Sequence, residues 1–174
     1  MIPLSTGSAS ATSGALTWTK ISCNRQYELK RNGVVVGKLT RPSLWSQKFV
    51  ADTQDGRWTF RRGGFWGTTC EIVDASGRVV ASCKAGYGRS VVSFADGETF
   101  HFAHKGWWRP VWTVTLDNGQ PLLYVHRREK TVDLAATTSV ANDRLTLLSM
   151  FVWYRILQEE EDAASVAVMV AVGA

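Results

Sequence analysis

The chain of 174 residues lacks the short motifs that identify common classes of enzyme. It has no GxSxG serine elbow and no GxxxxGK[ST] phosphate loop, so the sequence shows no sign of either chemistry. Its three cysteines, Cys23, Cys70 and Cys83, form no CxxC pair and therefore predict neither a disulfide framework nor a zinc knuckle. We expect a non-enzymatic protein with no catalytic residue and no cofactor, in a reducing, cytoplasmic setting.

The first residues of the chain also lack the features of a targeting segment. Residues 1–14 contain no Lys or Arg and no apolar run of the length that a secretory signal needs. They are rich in Ser, Thr, Ala and Gly, a composition typical of disorder. We therefore expect residues 1–16 to form a disordered leader, with the folded domain spanning residues 17–158.

Blocks of five or six basic residues are absent as well. The chain has 20 Lys and Arg against 15 Asp and Glu, a formal net charge of +5, and the basic residues are spread along it. This balance favours anionic partners such as lipid headgroups, nucleic acid or acidic proteins. A charge of this size is equally typical of an ordinary solvated surface.

Five glycine turns recur along the middle of the chain at intervals of roughly 20 to 23 residues. Such dipeptides suit the positive φ angles of tight hairpins. Between them the residues alternate as in half-buried strands, with Tyr27 and Leu29 on one face of residues 26–30. The pattern predicts a meander of antiparallel strands. The turns are Asn32-Gly33, Asp55-Gly56, Ser76-Gly77, Asp96-Gly97 and Asn118-Gly119.

With one strand before Tyr27 and another near residues 131–134, the hairpins add up to about 10–12 strands, more than a twisted open sheet usually keeps. Closing the sheet removes its edges. We therefore predict a mainly β (α+β) fold, a closed antiparallel β-barrel. A propeller would need longer units that repeat in sequence.

The one long apolar segment follows the hairpins, from Leu145 to Leu157, with only Thr146, Ser149 and Arg155 polar. It predicts a helix that is apolar on all sides, which belongs in a membrane or inside protein. Its 13 residues reach only roughly 20 Å, short of the roughly 30 Å of a hydrocarbon core. We expect a central helix at residues 144–158 that threads the barrel and no transmembrane span. The core-helix residues are Leu145, Leu148, Phe151, Val152 and Ile156.

Residues 159–174 begin with Glu159-Glu160-Glu161-Asp162 and continue with small apolar side chains. We expect an acidic turn at the end of the helix, followed by an apolar tail. The tail is compatible with an outer strand, with a short helix over a barrel mouth, or with a weak lipid contact.

Hairpins followed by a single buried helix resemble the tubby C-terminal-like superfamily, which includes tubby domains, LURP-one-related proteins and phospholipid scramblases. Residues 142–154 look like the core helix of its compact members, and residues 33–37 and 75–80 look like its strand-turn-strand units. The resemblance covers about residues 17–158. It implies a roughly twelve-stranded barrel around the helix, and for several relatives a role at membranes. The scramblases' acidic calcium segment and tubby's headgroup-binding positions have no counterpart here.

Three groups of residues have the chemistry of a binding site: the histidines, the glycine-flanked tryptophans and the basic residues. The histidines predict no metal site, because His101 and His104 are three apart on a strand and so face opposite ways. The glycine-flanked Trp66, Trp107 and Trp108 are candidate interface aromatics, or else plugs for the barrel ends. The candidate anionic-ligand patch comprises Arg57, Arg61, Arg62, Lys105, Arg109, Arg127, Arg128 and Lys130.

From the sequence we therefore expect a binding module for anionic membrane surfaces and phospholipid headgroups, or for a protein partner, peripheral to the membrane. The alternatives are a nucleic-acid-binding barrel, in which basic side chains contact phosphates and aromatic rings stack on bases, and a carrier of a small ligand. A carrier conflicts with a helix in the lumen, and the absence of a recognisable single-strand motif counts against nucleic acid.

Overall fold

The computed structural model describes residues 15–23, 25–63, 69–86, 89–106, 110–135 and 140–172. They form a closed barrel in which every strand pairs antiparallel with its neighbours in sequence, and the last strand pairs with the first. One helix follows the strands. The elements are β1 Leu16–Ser22, β2 Gln26–Arg31, β3 Val34–Thr40, β4 Phe49–Thr53, β5 Gly56–Gly63, β6 Thr69–Asp74, β7 Val79–Gly86, β8 Arg89–Phe94, β9 Thr99–Lys105, β10 Val111–Leu116, β11 Pro121–His126, β12 Thr131–Leu134 and α1 Asn142–Val172.

The predicted mainly β fold, a closed antiparallel barrel with one C-terminal helix, is confirmed. Alternating burial along the strands explains why these sequences form a barrel wall. In β2 the side chains of Tyr27 and Leu29 are buried while Glu28 and Lys30 are half-buried on the other face. The hairpin that follows is tight, since Asn32 and Gly33 have φ angles of 51° and 81°, which suit Asn and Gly best.

The antiparallel order gives the barrel two distinct ends. At the turn end, the strands β2, β4, β6, β8 and β10 finish in the five predicted glycine turns, and α1 begins. At the loop end, β1, β3, β5, β7, β9 and β11 finish. Ion pairs show that α1 runs from one end to the other. Arg144 near its start binds Asp96 of a glycine turn, whereas Glu161 binds Arg41 just after β3.

Fourteen consecutive residues of α1, from Leu145 to Gln158, are buried. Aromatic rings from separate parts of the wall meet the helix. Phe151 contacts Phe60 of β5 and Phe102 of β9, with ring centroids 5.3 and 5.9 Å apart. All five core-helix residues named from the sequence are at most 2% exposed. The hydrophobic core therefore forms between the helix and the inner face of the wall.

The wall comes close to the helix at Gly37 in β3. A Cβ atom at this position would lie 2.7 Å from the Sδ atom of Met150, closer than two such atoms can approach. The absence of a side chain at Gly37 therefore makes room for Met150.

Two predicted boundaries are wrong. The helix does not end at residue 158 in an acidic turn but continues to Val172. Residues 159–172 contain no Gly or Pro, and arginines of the wall bind the carboxylates of Glu160, Glu161 and Asp162. The charge run therefore does not break the helix. At the other boundary, Leu16 belongs to β1 and is fully buried, so the barrel begins one residue earlier than predicted. Residues 1–14 of the expected leader lie outside the described residues.

Candidate functional site

The basic residues predicted to form one patch do not lie on one surface. Arg57 starts β5 at the turn end, where its Nε atom is 3.3 Å from Asp52 Oδ1. Arg62, Lys105, Arg127, Arg128 and Lys130 belong to the loop end. Strand direction separates these residues. Because β5 runs from the turn end to the loop end, Arg57 near its start lies almost the length of the strand from Arg62 near its end. Arg109 lies outside the described residues.

Besides Arg57, three of the predicted basic side chains have carboxylate partners. The guanidinium of Arg61 is 2.7 Å from Glu71, and that of Arg62 is 2.7 Å from Asp162. Arg127 lies 2.6 Å from Glu160 of the helix. These pairs neutralise much of the charge that the sequence alone assigns to the patch.

The remaining cations of the loop end have no such partner. Among the residues that the structure describes, Lys105, Arg128 and Lys130 form no ion pair, and the same holds for Lys20 near the end of β1. Lys20, Arg128 and Lys130 line one pocket of about 420 Å³ together with Arg127. We call it the loop-end pocket. Its remaining lining residues are Tyr27, Pro110, Trp153, Leu157 and Glu160.

The apolar lining of this pocket comes largely from the helix and β2. Trp153 of α1 stacks on Trp18 of β1 at a centroid distance of 5.1 Å, and the ring of Tyr27 meets it edge-on at 6.0 Å. Trp153 is 4% exposed, and its indole N–H has no hydrogen-bond partner within the described ranges. Burial raises the pKa of Tyr27, and Glu160 adds to the increase, so this hydroxyl is neutral at physiological pH.

The turn between β11 and β12 holds the basic rim in place. The backbone N–H of Trp18 donates to the carbonyl of Lys130 at 2.7 Å and so ties this turn to β1. Lys130 itself has a φ angle of 57°, a left-handed conformation that costs a lysine energy. A pocket with cations on its rim and aromatic rings in its lining can accept an anionic group joined to an apolar body.

A second pocket at the loop end shares Pro110 and Arg127 with the first and has a volume of about 480 Å³. Its lining includes His104, Trp112 and Glu159. The ring of His104 contacts that of Trp112 at 5.0 Å. Burial raises the pKa of Glu159, an effect opposed by nearby Arg155.

Two of the histidines form hydrogen bonds with different carboxylates. His101 bonds Asp117 at 2.9 Å, and His126 bonds Asp133 at 3.0 Å. Within the described ranges, no three His, Cys, Asp or Glu side chains are grouped so that they could hold a metal ion.

A buried polar cluster surrounds Arg155, the one charged residue in the apolar segment. Its Nη1 atom donates to Gln158 Oε1 at 3.0 Å and lies 3.4 Å from the sulfur of Cys70. Burial raises the pKa of Tyr154, whose hydroxyl bonds Gln158. Cys70 pairs across the sheet with Cys83, and burial raises the pKa of the Cys83 thiol to about 12. The Cys83 thiol is therefore a poor nucleophile.

The turn end has a pocket of its own, with a different charge pattern. It has a volume of about 470 Å³, and its lining includes Arg78, Phe94, Asp96 and Arg144. The guanidinium of Arg144 lies over the Phe94 ring, 3.9 Å from its centroid, and binds Asp96. Arg78 binds Asp74 at 3.2 Å. Both arginines of this pocket therefore have carboxylate partners.

Sequence reasoning missed Lys20, Tyr27, Trp153 and Leu157, because their alternating or apolar patterns indicate only a strand and a core helix. It also missed Trp45, which is 94% exposed. The predicted interface aromatics Trp66, Trp107 and Trp108 lie outside the described residues.

Comparisons with protein-family models, with curated proteins and with solved structures found no match. Over the described part of the chain, no helix combines the length and the hydropathy needed to cross a bilayer.

Proposed function

We propose that the barrel is a non-enzymatic binding module whose loop end contacts anionic membrane surfaces through phospholipid headgroups. The observation that carries the proposal is the loop-end pocket. Lys20, Arg128 and Lys130 line it without a carboxylate partner among the described residues, beside the rings of Tyr27 and Trp153. Phosphate oxygens suit such cations, and the apolar lining suits the glycerol and upper acyl chain of a lipid.

The size of the charge effect is sufficient for reversible attachment. A Lys or Arg near an anionic membrane contributes about 1 kcal/mol, so three unpaired cations contribute about 3 kcal/mol. That corresponds to an increase in affinity of roughly a hundredfold over a neutral surface. Exposed charges are screened by salt, and binding of this origin weakens as ionic strength rises.

The architecture supports a relationship to the tubby-like superfamily as part of the same proposal. Its members build a barrel around an apolar helix, and here residues 145–158 are buried against the inner wall. The residues that would contact lipid are this chain's own, since tubby's headgroup-binding positions have no counterpart. Three free cysteines suit a reducing, cytoplasmic compartment in which the protein is peripheral to the membrane.

Flotation with lipid vesicles tests the proposal. The chain is expected to float with vesicles of phosphatidylcholine and phosphatidylserine at low salt, to float less at high salt, and to stay behind with phosphatidylcholine alone. No flotation with the anionic vesicles at low salt would refute it. A gel shift with single-stranded DNA in the same buffer distinguishes a lipid surface from nucleic acid, since stronger binding to DNA would favour the nucleic-acid alternative.

A further inference from the structure

The last part of α1 continues past the buried half of the helix, has an apolar sequence, and exposes those of its side chains that the structure describes. Burial ends at Gln158, yet the helix continues to Val172. We call residues 163–172 the helix tip; their sequence, AASVAVMVAV, contains no charged residue. The side chains of Ala163, Ala164, Ala167 and Val168 are exposed, and Val168 is 63% exposed. These four side chains have no apolar cover from the described part of the barrel.

A second exposed apolar group lies at the same end. The connection between β3 and β4 carries Leu44 and Trp45, which are 64% and 94% exposed. Both line a small cleft of about 210 Å³ with Glu161, Asp162 and Ser165 of the helix. The helix tip and Trp45 therefore belong to one surface of the molecule.

An acidic collar separates the buried helix from its tip, and the barrel neutralises that collar. Glu160 binds Arg127, Glu161 binds Arg25 and Arg41, and Asp162 binds Arg62. The repulsion that these carboxylates would otherwise exert on an anionic surface is thereby offset. At the same end, Lys20, Arg128 and Lys130 form no ion pair with any residue that the structure describes. The apolar tip is thus accompanied by a surplus of positive charge.

We propose that the helix tip, together with Trp45, enters one leaflet of an anionic membrane; this inference rests on the proposed function and specifies how the loop end engages the lipid. Ten helical residues rise about 15 Å, which matches half of the roughly 30 Å hydrocarbon thickness. Trp is the side chain that favours the headgroup level. The surplus of cations at this end favours an anionic lipid over a second copy of the chain, which would present the same cations.

A fluorescent reporter on the tip tests the inference. In a Cys23→Ser background, Val168→Cys carries an environment-sensitive dye, because Cys70 and Cys83 are buried and unreactive. Ala164→Cys provides a second exposed position on the tip, should the first variant misfold. Ser76→Cys at the turn end is the matched control. The vesicles contain phosphatidylcholine and phosphatidylserine with nitroxides on the acyl chains, and flotation measures binding in the same samples.

The tip reporter is expected to shift its emission to shorter wavelength and to lose fluorescence to the nitroxides, while the reporter at residue 76 does neither. Flotation without a shift at residue 168 or 164 would overturn insertion and leave surface binding intact. Failure to float would overturn both proposals. A concentration-dependent shift without vesicles would overturn insertion in favour of a second copy of the chain.

Discussion

The two ends of the barrel share one wall and one helix but differ in how their charges are matched. At the turn end, Arg57, Arg78 and Arg144 each bind a carboxylate, whereas the half-buried Arg31 forms no ion pair among the described residues. At the loop end, Lys20, Arg128 and Lys130 have no ion pair among the described residues. The exposed cations without an ion pair therefore lie at the loop end, where we propose that the ligand binds.

Turn chemistry explains much of this asymmetry. Tight hairpins favour Asp and Asn, whose side-chain oxygens accept hydrogen bonds from the backbone of the turn. Asp74 accepts from the N–H groups of Ser76 and Arg78, and Asp96 accepts from that of Glu98. The hydrogen bond from the Ser76 hydroxyl, followed by those from the backbone, lowers the pKa of Asp74. The hydrogen bond from the backbone N–H of Glu98 lowers the pKa of Asp96. The glycine turns thus concentrate carboxylates at one end as a consequence of local structure.

The two halves of the helix also differ from each other, in burial and in composition. Its first half presents large apolar side chains to the wall, and Phe151 and Tyr154 are fully buried. Its second half consists of a charged collar and an uncharged tip whose described side chains are exposed. We therefore expect the first half to be required for folding and the second half to be dispensable for it.

Truncation should give the largest effect and would separate the two halves. A chain ending at Asp162 keeps the buried half and the ion-paired collar, and we expect it to unfold cooperatively on heating. A chain ending at Val140 loses every helical contact with the wall, and we expect no cooperative transition by circular dichroism. A folded chain ending at Val140 would show that the helix is not the core.

Single substitutions should also lower the free energy of unfolding more in the buried half of the helix than in the tip. Phe151 is fully buried, and Phe151→Ala is expected to lower the free energy of unfolding by about 3–5 kcal/mol through lost contacts and a cavity. Val168→Ala on the exposed tip is the matched control, with an expected change within about 0.5 kcal/mol. Urea denaturation measures both. Similar losses for the two variants would mean that the tip is also packed against the fold.

Alkaline unfolding tests whether the barrel interior near the loop end is dry. Burial, together with nearby Cys70, raises the pKa of the Cys83 thiol from 9.0 to about 12. Above pH 9 the thiol ionises in the unfolded chain but stays neutral in the folded one. Its contribution to stability is therefore fully present below pH 9 and is lost as the pH rises to about 12. The decline is at most about 1.4 kcal/mol per pH unit. In Cys83→Ala this contribution should disappear, so the free energy of unfolding should fall less steeply with pH over this range. An unchanged slope would show that a different group titrates.

The wall and the buried helix could be predicted from sequence because their signals are local. The turn dipeptides and the alternation at Tyr27 and Leu29 lie within a few residues of one another. The charge pattern of the site could not be predicted in this way. Arg41 and Arg62 find their carboxylates 120 and 100 residues away, on a helix extension expected to end as a turn. Pairing across such distances depends on the closed topology, which also places Arg57 at the opposite end.

The most direct test of the account compares equal losses of charge at the two ends. Lys20→Gln with Arg128→Gln removes two unpaired, exposed cations from the loop end, and Arg57→Gln with Arg78→Gln removes two exposed cations from the turn end. Each double variant lowers the formal net charge of +5 by the same amount. At about 1 kcal/mol per cation, the first should bind anionic vesicles about thirtyfold more weakly at low salt. The second should bind nearly as the unmodified chain does, and equal weakening of both variants would contradict a binding site at the loop end.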